Sequence, residues 1–354
     1  MRKPILKATV FLLAQQVVIG FCFLFAPAIA LENAGRSTNV TFTVSNTELK
    51  ATIFFPDTGE APFPGVVYAH GSEAATRDMR GYQVGTEYFL KKGYAVLLYD
   101  KRGAGESEGE YVDTPFIEHA SADLQGAVRL LQAQDEIDAR KVGIFGASQS
   151  GWVAVNAALQ DPTIAFVITI SGPSTTMLDQ FTFQHAMHFD GPALDDEQRE
   201  AFIAFQDGLY NYLGTGVAGP NLETQYAAAQ SEPWWLHFEN WGFGGTMPSV
   251  DSLDSRSFEV FRKIQYDPYR SVFNATAPLL YIYGSQDVQT PVPESVERLK
   301  RITALRPSLD ITVHEFNDMG HSMYMRDDDG NPIPLIREDI RAAINSWLKK
   351  FEAK

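Results

Sequence analysis

Residues 141–152 read KVGIFGASQSGW: an apolar run, a turn of small residues and the start of a helical pattern. A serine on a sharp strand-to-helix turn has its hydroxyl lifted clear of the sheet, and its neighbours must be small because the turn crowds the backbone. Ser148 meets this requirement, with Gly146 two residues before it and Gly151 three after. The stretch is interpreted as a nucleophile elbow, although small residues also connect strands to helices in other α/β proteins.

One position departs from the usual elbow pattern, because Ser150 stands where glycine is expected. The alternative is that Ser150 itself is the nucleophile. That register would put Ser148 and the bulky Trp152 at the two crowded positions, so it fits worse on both sides. Ser148 is therefore predicted to be the nucleophile, and the sequence leaves open what Ser150 contributes.

Residues 1–30 predict a cleavable secretory signal peptide. Three basic residues are followed by an apolar run and by Ala28-Ile29-Ala30, a small-x-small cleavage site that predicts a cut after Ala30. A transmembrane anchor is the alternative, but two glutamines interrupt the run and no comparable segment recurs downstream. The mature chain, residues 31–354, is expected to be secreted or periplasmic, without a stable membrane anchor.

The composition excludes several classes of function. The chain carries 44 Asp and Glu against 29 Lys and Arg, a formal charge of −15, which argues against nucleic acid or an anionic membrane as a partner. The only cysteine, Cys22, lies in the predicted signal peptide, so disulfides, thiolate catalysis and cysteine metal sites are excluded for the mature chain. Asn39 and Asn274 begin glycosylation sequons, whose use the sequence does not decide.

Strand patterns alternate with helical patterns along most of the chain. Residues 39–45 alternate in polarity, whereas residues 64–71 form an uninterrupted apolar run typical of a buried parallel strand. The remaining predicted elements are strands at 49–55, 94–100, 164–170, 278–284 and 310–316, and helices at 81–92, 117–134, 150–159 and 335–351. This order predicts an α/β fold with a mostly parallel central sheet flanked by helices.

The alternation stops in residues 172–267, which are rich in tryptophan and phenylalanine and contain a helical pattern at 196–212. A structureless loop of this length is improbable in a compact domain, so the segment predicts an inserted helical cap over the sheet. Trp234, Trp235 and Trp241 look exposed and are candidates for lining an apolar substrate pocket. For most of the aromatic residues of the segment, however, filling the core of the cap is the expected role.

Two weaker patterns carry no functional prediction. The glycine-containing loop at 101–107 contains no Walker pattern, so a phosphate site there is disfavoured. His185 and His188 lie three residues apart, but no third metal ligand is evident. Neither a metal nor an organic cofactor is predicted.

A serine, an acid and a histidine each come just after a predicted strand: Ser148, Asp287 and His321. Open α/β sheets gather their chemistry at the carboxyl ends of the strands. Three unrelated folds build this triad, each with its own order along the chain. The order serine, aspartate, histidine is expected of one of them. Asp318 is a rival for the acid, and Asp287 is preferred because it follows its own strand.

With these motifs in order, the chain resembles a secreted serine hydrolase of the α/β-hydrolase superfamily, along nearly all of residues 31–354 except the cap. Four stretches besides the elbow carry this resemblance. His70-Gly71-Ser72 is similar to the oxyanion-hole motif of the superfamily, and residues 100–107 are similar to its Asp-x-Arg-Gly-x-Gly-x-Ser loop. Residues 284–287 are similar to its acid turn, and Gly320-His321 is similar to its histidine turn. The 100–107 loop is expected to be structural, with Arg102 held by a carboxylate.

The resemblance implies a mechanism. Neutral His321 would take the proton of Ser148 as the hydroxyl attacks an acyl carbonyl, while Asp287 orients the imidazole. The backbone N–H groups of Ser72 and Gln149 would stabilise the oxyanion. The expected substrate is a small-molecule ester, and no cofactor is required.

Two other classes stay open. A serine aminopeptidase or a prolyl-oligopeptidase-like enzyme would share every motif and would take a short peptide, its free amino terminus held by acidic cap residues such as Glu223, Glu232 or Glu239. A noncatalytic binding protein on the same fold would be expected to have lost part of the triad. Haloalkane-type hydrolysis is disfavoured, because those enzymes need a carboxylate at the position of Ser148.

Overall fold

The computed structural model of the protein describes residues 34–111, 117–188, 193–240, 243–253, 261–262, 265–326 and 332–352. The predicted signal peptide and Trp241 lie outside these residues. Within the described part of the chain, none of the helices has the length and apolar character needed to cross a membrane.

The chain divides into two compact units. The smaller unit contains Thr175–Asp267 together with Val288–Pro291, and the larger unit contains the sheet and all of the predicted triad. The smaller unit begins three residues after the start predicted for the cap, Gly172, and includes a short piece from the loop after Asp287.

Eight strands of the described chain form one sheet in the order β1-β2-β4-β3-β5-β6-β7-β8. The strands are Ala34–Val44 (β1), Thr47–Pro56 (β2), Phe63–Ala69 (β3), Ala95–Tyr99 (β4), Ile137–Ala147 (β5), Val167–Ile170 (β6), Leu279–Gly284 (β7) and Ile311–Phe316 (β8). The β1-β2 and β2-β4 pairs are antiparallel, and all the others are parallel. The predicted fold class is confirmed.

The burial of β1 and of β4 follows their sequence patterns. β1 lies at an edge of the sheet, where Phe42 and Val44 face the core and Thr41 and Thr43 face solvent. Every residue of β4, AVLLY, is buried, as expected for a strand covered on both faces.

Ten α-helices are found in the described chain: Arg80–Leu90 (α1), Ile117–Gln132 (α2), Ser150–Gln160 (α3), Met177–Met187 (α4), Asp196–Thr215 (α5), Leu222–Ala229 (α6), Trp235–Asn240 (α7), Tyr269–Phe273 (α8), Val292–Leu305 (α9) and Glu338–Glu352 (α10). The helix after the elbow, α3, is almost wholly buried, and its small residues Ala154, Ala157 and Ala158 are fully inaccessible. Small side chains allow this helix to pack closely against its neighbours.

The smaller unit is helical and has its own aromatic core. Capping boxes begin α4 at Thr176 and α5 at Asp195. Trp234 and Trp235 are 2% and 5% exposed, and both pack against Phe205. The expectation that these two tryptophans are exposed is wrong, because the rings of α5, α6 and α7 enclose them.

The predicted C-terminal helix at 335–351 begins too early. Residues Pro332–Ile336 form a strand, β10, that pairs with Tyr324–Arg326, β9, and the helix α10 begins at Glu338. Prolines at 332 and 334 favour extended backbone, because a proline lacks an N–H and disfavours helical geometry in the residue before it.

Candidate active site

The turn between β5 and α3 holds Ser148 in an unusual backbone conformation. Ser148 has φ +55°, in the left-handed region that non-glycine residues rarely adopt. Its N–H donates to Ile170 O at 2.9 Å, and its carbonyl accepts from the N–H of Gly151 at 2.9 Å. Such strain persists only where the surrounding structure imposes it, and it is often found at functional residues.

The requirement for small residues around Ser148 has a direct geometric cause. A Cβ on Gly146 would lie 2.6 Å from Ala69 O and 2.6 Å from Ser150 Cβ, and a Cβ on Gly151 would lie 2.5 Å from the backbone of Gly172. Ser150 is fully buried, and its Oγ has no hydrogen-bond partner in the described chain. The hydroxyl of Ser150 is therefore inaccessible to a substrate, whereas Ser148 is only half-buried.

The predicted acid and histidine form a buried pair. His321 Nδ1 lies 2.8 Å from Oδ2 and 3.0 Å from Oδ1 of Asp287, and the two side chains are 5% and 0% exposed. The rival acid, Asp318, is exposed, and it accepts a long 3.4 Å hydrogen bond from Gln286. The geometry therefore favours Asp287 over Asp318 as the partner of the imidazole.

The loops of the serine and the histidine meet at the end of β6. Ile170, its last residue, accepts the N–H of Ser148, and the next residue, Ser171, donates its hydroxyl to His321 O at 2.8 Å. Consecutive residues at one strand end therefore anchor the elbow and the histidine turn. The elbow that carries Ser148 and the turn that carries His321 therefore lie next to each other at the end of β6.

The turn after β3 is held by a second network. The N–H of Gly71 donates to the hydroxyl of Tyr82 at 3.1 Å, and that hydroxyl donates to Glu73. Neither the N–H of Ser72 nor that of Gln149 has an acceptor in the described chain. Both are the donors predicted for an oxyanion, and Gln149 immediately precedes the first residue of α3.

Glu73 is a residue that the sequence analysis missed. Its Oε2 is buried without a partner in the described chain, and a Cβ on Gly71 would lie 2.5 Å from it. Burial raises the pKa of Glu73, against the opposing charges of Lys101 and His321. The only sequence signal was an acidic residue directly after the turn motif.

The loop after β4 is structural, as predicted. Arg102 Nε donates to Asp123 Oδ2 at 3.0 Å, which supplies the expected carboxylate. Asp100 is 2% exposed, and its carboxylate accepts two hydrogen bonds from Arg77. The backbone N–H of Arg77 donates at 2.8 Å, and the guanidinium of Arg77 donates at 2.9 Å. No local sequence pattern indicates the contribution of Arg77, which lies 23 residues away from Asp100.

His70, in the oxyanion-like motif, is a buried neutral histidine. Burial, and then the charge of Lys101, lower the pKa of His70 to about 3. Its Nε2 lies 2.8 Å from Tyr99 O, so the neutral ring donates this hydrogen bond and links the ends of β3 and β4. His70 therefore supports the turn and is a poor candidate for a general base.

The described residues contain no group of side chains suited to a metal ion. His185 is buried in the helical unit, with Nδ1 3.0 Å from the hydroxyl of Tyr210 and 2.9 Å from Gln206 Nε2. His185 therefore has a packing role inside this unit. Trp234 and Trp235 lie in the core of the same unit, so their predicted pocket role stays a prediction.

Comparison with known proteins finds a family match and several relatives. Residues 45–202 match the X-Pro dipeptidyl-peptidase (S15) family. The chain is 33% identical over 260 residues to the quorum-quenching protein AidA of Acinetobacter baumannii, covering 72% of this chain and 79% of that protein. It is also 33% identical over 162 residues to the thiohydrolase aneE of Aspergillus aculeatus, of whose length it spans 48%.

Solved structures share the fold at lower identity. An esterase of Pyrococcus furiosus superposes with a TM-score of 0.56 at 19% identity, over 89% of this chain and 91% of the esterase. A proline iminopeptidase of Mycobacterium smegmatis gives a TM-score of 0.53 at 16% identity, over 88% of this chain and 98% of the other. At these identities the likeness concerns the fold alone.

Proposed function

The chain belongs to the α/β-hydrolase superfamily and is a serine hydrolase, and from this premise we propose that it cleaves an acyl ester through Ser148, His321 and Asp287. His321 accepts the proton of the Ser148 hydroxyl as the oxygen attacks the acyl carbonyl, then donates it to the departing alcohol. Water, activated by the same imidazole, hydrolyses the acyl-enzyme and regenerates the serine.

The buried Asp287–His321 pair is the observation that carries this proposal. The 2.8 Å contact fixes the tautomer in which Nδ1–H donates to the carboxylate, so that Nε2 is the basic nitrogen. A carboxylate whose side chain is fully buried also stabilises the imidazolium that forms during the attack, because the low dielectric strengthens their interaction.

The developing oxyanion is assigned to the N–H groups of Ser72 and Gln149. The absence of an acceptor for either group within the described chain supports this role, because an oxyanion hole must offer preorganised donors. Gln149 also lies at the N-terminal end of the helix α3, whose dipole favours negative charge there.

A short peptide is the second candidate substrate, and the match of residues 45–202 to the X-Pro dipeptidyl-peptidase family favours it. The triad would cleave an amide by the same steps, with an amine as the leaving group. Either substrate is a small molecule, and the net charge of −15 argues against nucleic acid as a partner.

A substrate screen tests the proposal. Acetyl, butyryl and octanoyl esters should be assayed beside aminoacyl and X-Pro amides of one chromogenic amine, with Ser148→Ala as the blank. We expect ester hydrolysis that Ser148→Ala abolishes. Amide cleavage with a higher kcat/KM than any ester would favour the peptidase, and no Ser148-dependent turnover of either class would overturn the proposed function.

Export is also part of the proposal. Expression of the full chain with a C-terminal tag should yield a mature protein whose amino terminus is Leu31, outside the cytoplasm. A protein that retains residues 1–30, or that stays in the cytoplasmic fraction, would contradict export. A matched control would replace Ala28 and Ala30 with bulky residues, which should block the cleavage.

A further inference from the structure

The side chain of Lys101 connects the two segments that carry the proposed oxyanion donors. Its Nζ donates to Gly71 O at 2.9 Å, to Glu73 O at 3.3 Å and to Gln149 Oε1 at 3.3 Å. Lys101 itself is fixed at its backbone, where its N–H donates to Ala75 O at 2.9 Å. One ammonium group therefore holds the turn after β3 against the first residue after the nucleophile.

The bond to Gly71 O has a particular consequence. That carbonyl and the N–H of Ser72 belong to the same peptide unit, and in a planar trans peptide the two point in opposite directions. A cation that fixes the carbonyl on one side therefore fixes the Ser72 N–H on the other. Hydrogen bonds in series also polarise one another, so an ammonium on the carbonyl makes the N–H a stronger donor.

We propose that Lys101 is a positioning residue for the oxyanion hole: its ammonium orients and polarises the Gly71–Ser72 peptide and ties it to Gln149. This inference rests on the proposed function. Lys101 acts through the peptide and does not touch the reacting atoms. Its charge matters because a charge-assisted hydrogen bond is about twice as strong as a neutral one.

The chain contains a matched control for this role. The hydroxyl of Tyr111 donates to Ser72 O, the next carbonyl along the same turn. That carbonyl shares its peptide unit with the N–H of Glu73, so it does not orient the proposed donor. Tyr111→Phe removes a hydrogen bond from the same turn and leaves the Gly71–Ser72 peptide in place.

The experiment compares Lys101→Met, Lys101→Arg and Tyr111→Phe with the wild type. The readouts are kcat and KM for the best ester and the Ki of a trifluoromethyl ketone, which forms a tetrahedral oxyanion on the serine. Loss of a direct oxyanion donor costs about 10²–10³ in kcat, so for an indirect residue we expect a loss of about 10- to 100-fold. In Lys101→Met the Ki should rise by the same factor while KM stays within threefold.

Lys101→Arg should recover part of both losses, and Tyr111→Phe should stay within threefold of the wild type. Equal losses in Lys101→Met and Tyr111→Phe, or an unchanged Ki in Lys101→Met, would overturn the inference. If Lys101→Met does not fold, Lys101→Gln takes its place with the same criteria. A wild type that neither hydrolyses esters nor binds the ketone would instead contradict the proposed function.

Discussion

Asp287 holds His321 by two contacts to Nδ1, at 2.8 and 3.0 Å, inside a site that leaves the aspartate side chain no solvent exposure. The exposed Asp318, only three residues from His321 in sequence, makes no such contact among the described hydrogen bonds. Asp287 is therefore preferred over Asp318 because its carboxylate is buried and contacts the imidazole. Matched substitutions of the two acids can test this choice.

Asp287→Asn should lower kcat by about 10⁴, because an amide favours the wrong tautomer of the imidazole and cannot stabilise its charged form. Asp318→Asn should retain wild-type activity within about threefold. The measurement is steady-state hydrolysis of the best ester by both variants. A large loss in Asp318→Asn with little loss in Asp287→Asn would reverse the assignment of the acid.

The activity of the wild type should fall at acid pH, because protonated His321 cannot accept the proton of Ser148. The pH dependence of kcat/KM should show this fall, and the fall should persist in single-turnover acylation. A rate that stays flat from mild acid to neutrality would argue against a histidine base.

Ser150→Ala should keep its activity and leave the free energy of unfolding unchanged or raise it by about 1 kcal/mol. The hydroxyl of Ser150 is buried without a partner in the described chain, and its removal relieves the cost of an unsatisfied polar group. Chemical denaturation and ester hydrolysis check this. A loss of more than 1 kcal/mol would show that the hydroxyl is satisfied, for example by a buried water.

Glu73→Gln should change the pH dependence of stability. Burial raises the pKa of Glu73 in the folded protein above its ordinary value of 4.5, so the folded state binds the proton more tightly than the unfolded state. The stabilisation from the protonated carboxyl is present at low pH and is lost as the pH rises through the folded pKa.

The unfolding free energy of the wild type should therefore fall relative to that of Glu73→Gln as the pH is raised from 4.5, by about 1.4 kcal/mol for each unit of raised pKa. Denaturation of both proteins between pH 4.5 and 8 measures this difference. The exposed Glu60 supplies a control, Glu60→Gln. A constant difference between wild type and Glu73→Gln would contradict the raised pKa.

Trp235→Ala should destabilise the helical unit by about 3–5 kcal/mol, because it opens a cavity in the aromatic core. Leu236→Ala, at the neighbouring position that is 50% exposed, should be nearly neutral. Thermal unfolding distinguishes the two. A stable Trp235→Ala variant with an altered ratio of kcat/KM between medium-chain and acetyl esters would instead support the pocket role predicted from the sequence.

The sequence predicted the strands of the sheet well, because they depend on local patterns. Apolar runs mark strands such as β4, and chemistry-bearing residues follow strand ends. What it missed depends on contacts between distant segments. Arg77 reaches Asp100, and Lys101 reaches Gly71 and Gln149, through side chains whose direction no local pattern encodes.

The tryptophans of the helical unit illustrate a second limit. An aromatic residue in a segment without clear periodicity can line a pocket or fill a core, and composition does not distinguish these two roles. In the structure, Trp234 and Trp235 are buried and enclosed by other rings of the same unit. The sequence pattern also did not indicate the β9–β10 pair before α10, because its apolar residues also suit the start of a helix.

The identity of the nucleophile is the central claim, and covalent labelling tests it most directly. The wild type should be treated with a fluorophosphonate, and the modified residue should be located by mass spectrometry of peptides. We predict a single adduct on Ser148, full labelling of Ser150→Ala and no labelling of Ser148→Ala. An adduct on Ser150, or labelling that survives in Ser148→Ala and vanishes in Ser150→Ala, would contradict the account.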